Sequence, residues 1–162
     1  MVLLDVDGTL TNGSITYDSR GKELKSFYVR DGAAIKWLQL AGMEVAILSG
    51  RKSLPLELRA RELGIAKVIQ SETIKLPAFE RLLQETGLKA GEVAYMGDDI
   101  YDLPVLKRAG LSACPADAVS EVKKAVDLVC ELKGGRGAIR ELAELILKAQ
   151  GKWRALMGKY GS

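Results

Sequence analysis

The chain opens on an apolar run, Val2-Leu3-Leu4, that stops at once in Asp5-Val6-Asp7-Gly8-Thr9-Leu10-Thr11. An apolar run ended by a glycine reads as a buried strand followed by a turn. The design recurs: residues 43–48 run into Ser49-Gly50-Arg51-Lys52, and residues 93–96 run into Gly97-Asp98-Asp99-Ile100-Tyr101-Asp102. Between these runs the apolar spacing is helical. Ala34, Trp37, Leu38 and Ala41 share one face of a helix predicted over 31–40, a second is predicted over Leu54–Leu63 before Gly64, and Lys75 opens a third through Leu76, Phe79, Leu82 and Leu83. A strand at 67–70, a helix over 100–108 with Pro104 in its first turn, short edge strands at 111–113 and 128–130, and an amphipathic helix over Ala138–Ala149 complete the series. Alternation of this kind predicts an α/β fold, one parallel sheet with helices on both faces. In such sheets ligands bind beyond the carboxyl ends of the strands, where these acids fall.

One segment interrupts the alternation. Residues 14–18 and 23–29 flank a turn at Ser19-Arg20-Gly21 and predict a β-hairpin, residues 14–29, inserted after the first strand. Its apolar side chains fall on both faces, Leu24 and Tyr28 on one and Phe27 and Val29 on the other. An isolated hairpin is marginal in water. Either it lies as a flap on its own domain or, the stronger expectation, it is buried between subunits.

The residues at the strand ends suit phosphoryl transfer, which needs a nucleophile, neutralisation of phosphate charge and a proton for the leaving group. Asp5 is the candidate nucleophile and Asp7 the candidate general acid and then base. Asp5 and Asp98 are candidate ligands of Mg²⁺, a cation that takes oxygen ligands. Lys75 supplies a fixed positive charge, and Ser49 with nearby backbone N–H groups can donate to phosphate oxygens. Asp102 shares a face with Asp98 if Asp98 opens a helix, from where it can orient Lys75 or a metal-bound water. Asp99 is either an outer-shell group or a helix N-terminal acid.

Composition narrows the classes. The 162 residues suit one domain, here 1–149, followed by a tail at 150–162. A net charge of +3 is too small to argue for nucleic acid, and no apolar run is long enough to span a membrane. Four residues before Asp5 leave no room for a signal peptide. Cys114 and Cys130 lack C-x-x-C spacing, so buried reduced thiols in a cytoplasmic protein are expected. The absence of histidine removes histidine-based phosphatases and most zinc sites.

Taken in order, D-x-D-G-T, S-G-R, a lysine and G-D-x-x-x-D resemble the haloacid dehalogenase-like (HAD) hydrolases. The resemblance implies a Rossmann-like fold, and it adds the Asp7 backbone carbonyl as a third metal ligand. The second acid, Asp7, favours phosphatase or phosphomutase chemistry over dehalogenase or P-type ATPase chemistry. The spacings Thr11 to Leu48 and Lys75 to Asp98 leave no space for the cap domain of larger members, which argues against a mutase. The chain resembles most closely the 3-deoxy-D-manno-octulosonate 8-phosphate (KDO 8-phosphate) phosphatase family. The carrying stretches are D-V-D-G-T-L-T at 5–11, V-R-D-G at 29–32, S-G-R-K at 49–52, G-D-D-x-x-D at 97–102, P-A-D-A at 115–118, G-G-R-G-A at 134–138 and A-Q-G-K-W at 149–153. Two positions depart from the family's habit: Ser71 stands where glycine is frequent and Val119 where histidine is.

That resemblance implies a sugar-acid phosphate as substrate, lipopolysaccharide precursor synthesis as setting, and a homo-tetramer whose hairpins join in a central barrel. Gly50 and Arg51 are candidate substrate contacts, with Arg30 and Arg136 as further partners for the substrate anion. Arg51 is alternatively a solvated charge. A nine-carbon ulosonate 9-phosphate is the alternative substrate, and a non-catalytic binding subunit the non-enzyme alternative. Trp153, Leu156 and Met157 in the tail either pack on their own domain or, as the resemblance implies, cover a neighbouring subunit's site.

Overall fold

The structure, a computed structural model, describes residues 1–161. Its strands are β1 (Val2–Leu4), β2 (Thr16–Tyr17), β3 (Glu23–Leu24), β4 (Val45–Leu48), β5 (Lys67–Ile69), β6 (Ala94–Met96), β7 (Leu111–Cys114) and β8 (Leu128–Val129). Its helices are α1 (Val29–Leu40), α2 (Leu54–Leu63), α3 (Lys75–Thr86), α4 (Leu103–Leu106), α5 (Ser120–Lys123), α6 (Ala138–Ala149) and α7 (Trp153–Gly158). Six strands form one parallel sheet in the order β5-β4-β1-β6-β7-β8. The chain leaves central β1 for β4 and β5 on one side, then crosses to β6, β7 and β8 on the other. The strand order therefore reverses at β1, and the acids of β1 and β6 end at that switch point.

Two apolar layers hold the sheet. Val2, Leu4, Val45, Ile47, Ala94 and Met96 face α1, α2, α6 and α7. Leu3, Ala46, Leu48 and Tyr95 face α3, α4 and α5. Adjacent residues alternate between the layers because successive side chains of a strand point to opposite faces. Both faces are covered, so these strands read as continuous apolar runs. Truncating a fully buried core side chain such as Phe79 to alanine costs about 3–5 kcal/mol.

Helices α2, α3 and α6 occupy the predicted spans. Ser53 caps α2, and Gly64 ends it in the left-handed region. Four predicted elements differ. α1 starts two residues early, at Val29. The span 100–108 divides into a 3₁₀ turn at Ile100–Asp102 and the short α4. β7 is interior, and β8 alone is the edge on that side. The hairpin is far shorter than predicted: only Thr16↔Leu24 and Tyr17↔Glu23 pair.

Beyond Leu24 the chain turns inward. Phe27 is half-buried against its own core, with the Arg59 guanidinium 5.9 Å from its ring centroid. Ile15, Tyr17, Leu24 and Val29 stay exposed. The tail also docks on its own domain: Leu156 is buried, Trp153 meets Trp37 edge-on at 5.8 Å, and the Lys152 ammonium donates to the Ala41 carbonyl at 2.9 Å. Both cysteines are buried and free, and burial pushes their thiols up to about 11 and about 12. Ser71 adopts φ 65, a left-handed conformation that favours the glycine it replaces in the family pattern.

Candidate active site

Beyond the carboxyl ends of β1, β4 and β6 lies a cleft of about 290 Å³. Asp5, Asp7, Ser49, Gly50, Arg51, Lys75, Asp98, Asp99 and Asp102 line it, with Thr73 and Tyr101. Register explains the convergence. Leu4 stands beside Ile47 on one neighbour and Met96 on the other, so Asp5, Ser49 and Asp98 emerge within a residue or two of one level. The Asp5 amide donates to the Met96 carbonyl at 2.9 Å, which closes the ladder at the nucleophile position. A cleft of similar size, about 320 Å³, lies at the opposite end around Met1, Met43, Leu111 and Ile146. Its only charged groups are Glu92 and the N-terminus, so it holds no comparable chemistry.

Lys75 is the first residue of α3, and a helix's Cα–Cβ bonds tilt towards its N-terminus, here over the sheet end. Its side chain is 5% exposed. The ammonium donates to Asp5 Oδ1 at 2.5 Å, to Asp102 Oδ1 at 2.5 Å and to the Tyr95 hydroxyl at 3.4 Å. Tyr95 in turn donates to Asp102 Oδ1 at 2.5 Å. The other oxygen, Asp102 Oδ2, accepts from the amides of Asp98 (3.0 Å) and Asp99 (3.1 Å). Asp102 thus reaches back over the 3₁₀ turn, and both its oxygens are occupied by protein donors.

Burial raises Asp5 well above the usual carboxylate range, and the Asp102 charge adds to the rise. Asp98 is pushed up to about 6, by burial first and then by Asp102. Burial pulls the Lys75 ammonium down, but Asp5 and Asp102 outweigh it and its pKa rises. Burial likewise drives the Tyr95 phenol well up. The cluster is short of positive charge: three carboxylates, Asp5, Asp98 and Asp102, share the single Lys75 ammonium.

Ligand atoms of Asp5, Asp98 and Asp102 lie within 4.8 Å of one another. Since Asp102 is fully engaged, Asp5 and Asp98 remain as side-chain donors. Hard oxygen donors with unbalanced negative charge fit Mg²⁺. Gly8 is what permits the approach: it sits at φ +97, and a Cβ there would fall on the Asp98 carboxylate. Thr9, buried behind it, donates to Asp98 Oδ1 at 3.3 Å. A second glycine contact braces the loop from outside. A Cβ on Gly134 would overlap the Gly8 carbonyl, and the Gly135 amide donates to the Thr9 carbonyl at 2.9 Å.

The remaining predicted positions fall as follows. Ser49 is buried, and its Oγ accepts from the Arg51 amide at 3.3 Å. It sits in a loop before α2 rather than at a helix start. Arg51 donates from Nη2 to Glu23 Oε1 at 3.0 Å, while its Nη1 is buried with no hydrogen-bond partner among the described residues. Asp99 is exposed and caps the 3₁₀ turn, accepting from the Ile100 amide at 2.7 Å. Arg30 is exposed on the first turn of α1, and Arg136 lies in a separate small hollow with Asn12, Tyr28 and Gly135. Neither arginine lines this chain's cleft.

Sequence reasoning missed Tyr95, Glu23 and Lys25. Tyr95 is the one residue of β6 with a polar tip, a usable signal in a fully buried strand. Lys25 is a single charge inside the apolar stretch Leu24-Lys25-Ser26-Phe27, which a solvated strand face explains equally well.

The fold and this site define a haloacid dehalogenase-like hydrolase, the family whose profile matches residues 22–110. The 3-deoxy-D-manno-octulosonate 8-phosphate phosphatase KdsC of Haemophilus influenzae is 46% identical over 93% of this chain and 84% of that protein. The crystal structure of the Moraxella catarrhalis phosphatase of the same name, in complex with magnesium, phosphate and KDO, superposes with a TM-score of 0.96 at 38% identity, covering 98% of this chain and 91% of that one. The cobalt-bound form from Haemophilus influenzae gives 0.90 at 46% identity, covering 94% and 89%. The chain belongs to the KDO 8-phosphate phosphatase family of these hydrolases.

Proposed function

We infer that this chain is a magnesium-dependent phosphatase that hydrolyses KDO 8-phosphate to KDO and phosphate, in lipopolysaccharide precursor synthesis. One observation carries the reading: a buried lysine held between Asp5 and Asp102, beside Asp98, at the switch point of a capless Rossmann-like sheet. The similarity to named phosphatases supplies the substrate.

Asp5 attacks phosphorus in line with the departing sugar oxygen and forms an aspartyl-phosphate. Held by Asp5, Asp98 and the Asp7 carbonyl, Mg²⁺ supplies the positive charge that lets a carboxylate approach a phosphate. Lys75 opposes the rise that burial imposes on Asp5 and holds its carboxylate in place, and Asp102 with Tyr95 keeps Lys75 in place. Ser49 Oγ and the backbone at Gly50 offer donors to the phosphate oxygens. Asp7 protonates the sugar oxygen as it leaves, then takes a proton from the water that hydrolyses the intermediate. Arg51, whose buried Nη1 on the cleft wall makes no hydrogen bond among the described residues, suits the substrate's second anion, its carboxylate.

Four chains assemble through the hairpins. The exposed Ile15, Tyr17 and Leu24 on two strands that pair only with each other support this, since such an edge invites further pairing. No described helix is long and apolar enough to cross a membrane, and the free cysteines suit a cytoplasmic location. The test is phosphate release from KDO 8-phosphate, a nine-carbon ulosonate 9-phosphate and simple sugar phosphates. KDO 8-phosphate should give the highest kcat/KM; no release from any of them would overturn the reading.

A further inference from the structure

Lys25 follows β3 directly, on a segment that the sequence pattern assigns to the second strand of the hairpin. Its side chain is only 1% exposed. The ammonium pairs with Asp7 Oδ1 and lies 3.6 Å from Glu23 Oε1. Glu23 is itself anchored on the far side of the cleft: Ser53 Oγ donates to its Oε2 at 2.5 Å and Arg51 Nη2 to its Oε1 at 3.0 Å. A continuous chain of contacts therefore runs from Asp7 in the first loop, through Lys25 and Glu23 of the hairpin, to Ser53 at the start of α2. Asp7 Oδ1 is taken by Lys25, and Oδ2 lies 4.0 Å from Nη1 of Arg51, which lines the cleft together with Asp7.

A lysine is costly to bury, and one that served only assembly would keep its ammonium in water. This one is withdrawn from water, and its shorter contact is to one oxygen of the acid that faces the leaving group, with Glu23 behind it at 3.6 Å. We propose that Lys25 is a positioning residue for Asp7: it fixes the carboxylate so that Oδ2 points at the departing oxygen, which makes the hairpin part of the catalytic apparatus. The proposal rests on the assignment of Asp7 as proton donor.

The discriminating quantity is the dependence of kcat/KM on the leaving group. This parameter covers steps up to departure of the alcohol and no further. Nitrophenolate leaves without a proton, whereas an alkoxide needs one. Small phosphate esters graded from nitrophenyl through phenyl to alkyl make no sugar contacts, so they isolate the proton. In Lys25→Met, which keeps length and loses charge, the plot of log kcat/KM against leaving-group basicity should steepen, with an extra loss of about tenfold or more at the alkyl end. A partly unfolded preparation lowers every point equally and leaves the slope unchanged. Asp7→Asn is run beside it. Parallel lines for Lys25→Met with a steepened line for Asp7→Asn would overturn the positioning role alone. Parallel lines for both would overturn the assignment of Asp7 and this proposal with it. A crystal structure of Lys25→Met provides a second readout: an Asp7 carboxylate in its original rotamer would also overturn the proposal.

Discussion

The cluster around Lys75 and the hairpin at 14–29 both reach the same cleft, but they are built in opposite ways. Lys75, Asp5, Asp102 and Tyr95 are fixed by regular elements, Asp5 just past the end of one buried strand and Tyr95 inside another, and all four side chains are almost wholly removed from water. The hairpin has two residue pairs of regular structure, an exposed apolar outer side and one lysine turned inward. Substitution in the first region strikes chemistry directly, because the groups have no freedom to compensate. In the hairpin, folding, assembly and chemistry are carried by different side chains a residue or two apart.

The largest effect tests the rigid region. Asp5→Asn should leave the fold intact and lower turnover by about 10⁴-fold or more, measured as phosphate release. Activity near the wild-type level would mean that the deep cluster is structural only. Chelation comes next. EDTA should silence the enzyme and Mg²⁺ restore it, and the pH dependence of the metal's effect follows from Asp98. Its folded pKa, about 6, lies above the ordinary carboxylate value, so the metal-free folded state binds the extra proton. That contribution favours folding at low pH and is lost as pH rises through about 6. Metal must displace the proton below that pH, so the gain in melting temperature on adding Mg²⁺ should be larger near pH 7 than near pH 5.

A paired substitution then divides the hairpin. Phe27→Asp places a charge against the core and should destabilise the subunit by about 2–3 kcal/mol in urea unfolding. Leu24→Asp, on the exposed side, should change subunit stability by no more than about 0.5 kcal/mol. It should nonetheless dissociate the assembly in sedimentation; equal behaviour of the two variants would erase the distinction between the hairpin's sides. The smallest effect, on stability alone, is in the loop after β5, where Ser71→Gly should relieve the left-handed strain at φ 65 and, after the added freedom of glycine in the unfolded chain, stabilise by about 0.5 kcal/mol. A melting temperature that does not rise would show that Ser71 makes a compensating contact.

This contrast also explains what could be read from the sequence. β1, β4 and β6 were legible because each is an apolar run that halts at a charge or glycine, and parallel register then forces those halting points to one level. Lys75 was legible as the polar start of an amphipathic helix. The hairpin's second strand was overextended because Phe27, Tyr28 and Val29 are residue types that favour strands, while Val29 already belongs to α1. The 100–108 helix was drawn too long because nothing local reveals that Asp102 folds back to take the amides of Asp98 and Asp99. The partnership of Lys25 with Asp7 spans 18 residues of chain with no periodic signal, so only the folded molecule discloses it.

The central place of β1 has a consequence for the order of events during folding. Its nucleophile waits for a lysine 70 residues later in the chain, and β1 must be flanked on its second side by β6, whose Ala94 pairs with Val2. Contacts so distant along the chain form late and carry a high closure entropy. A nascent chain therefore carries Asp5 as an ordinary carboxylate until β6 has been made and docked. A fragment ending before β6 would hold Asp5, Asp7, Ser49 and Lys75 but lack Tyr95, Asp98 and Asp102, the groups that fix Lys75 and complete the acidic cluster.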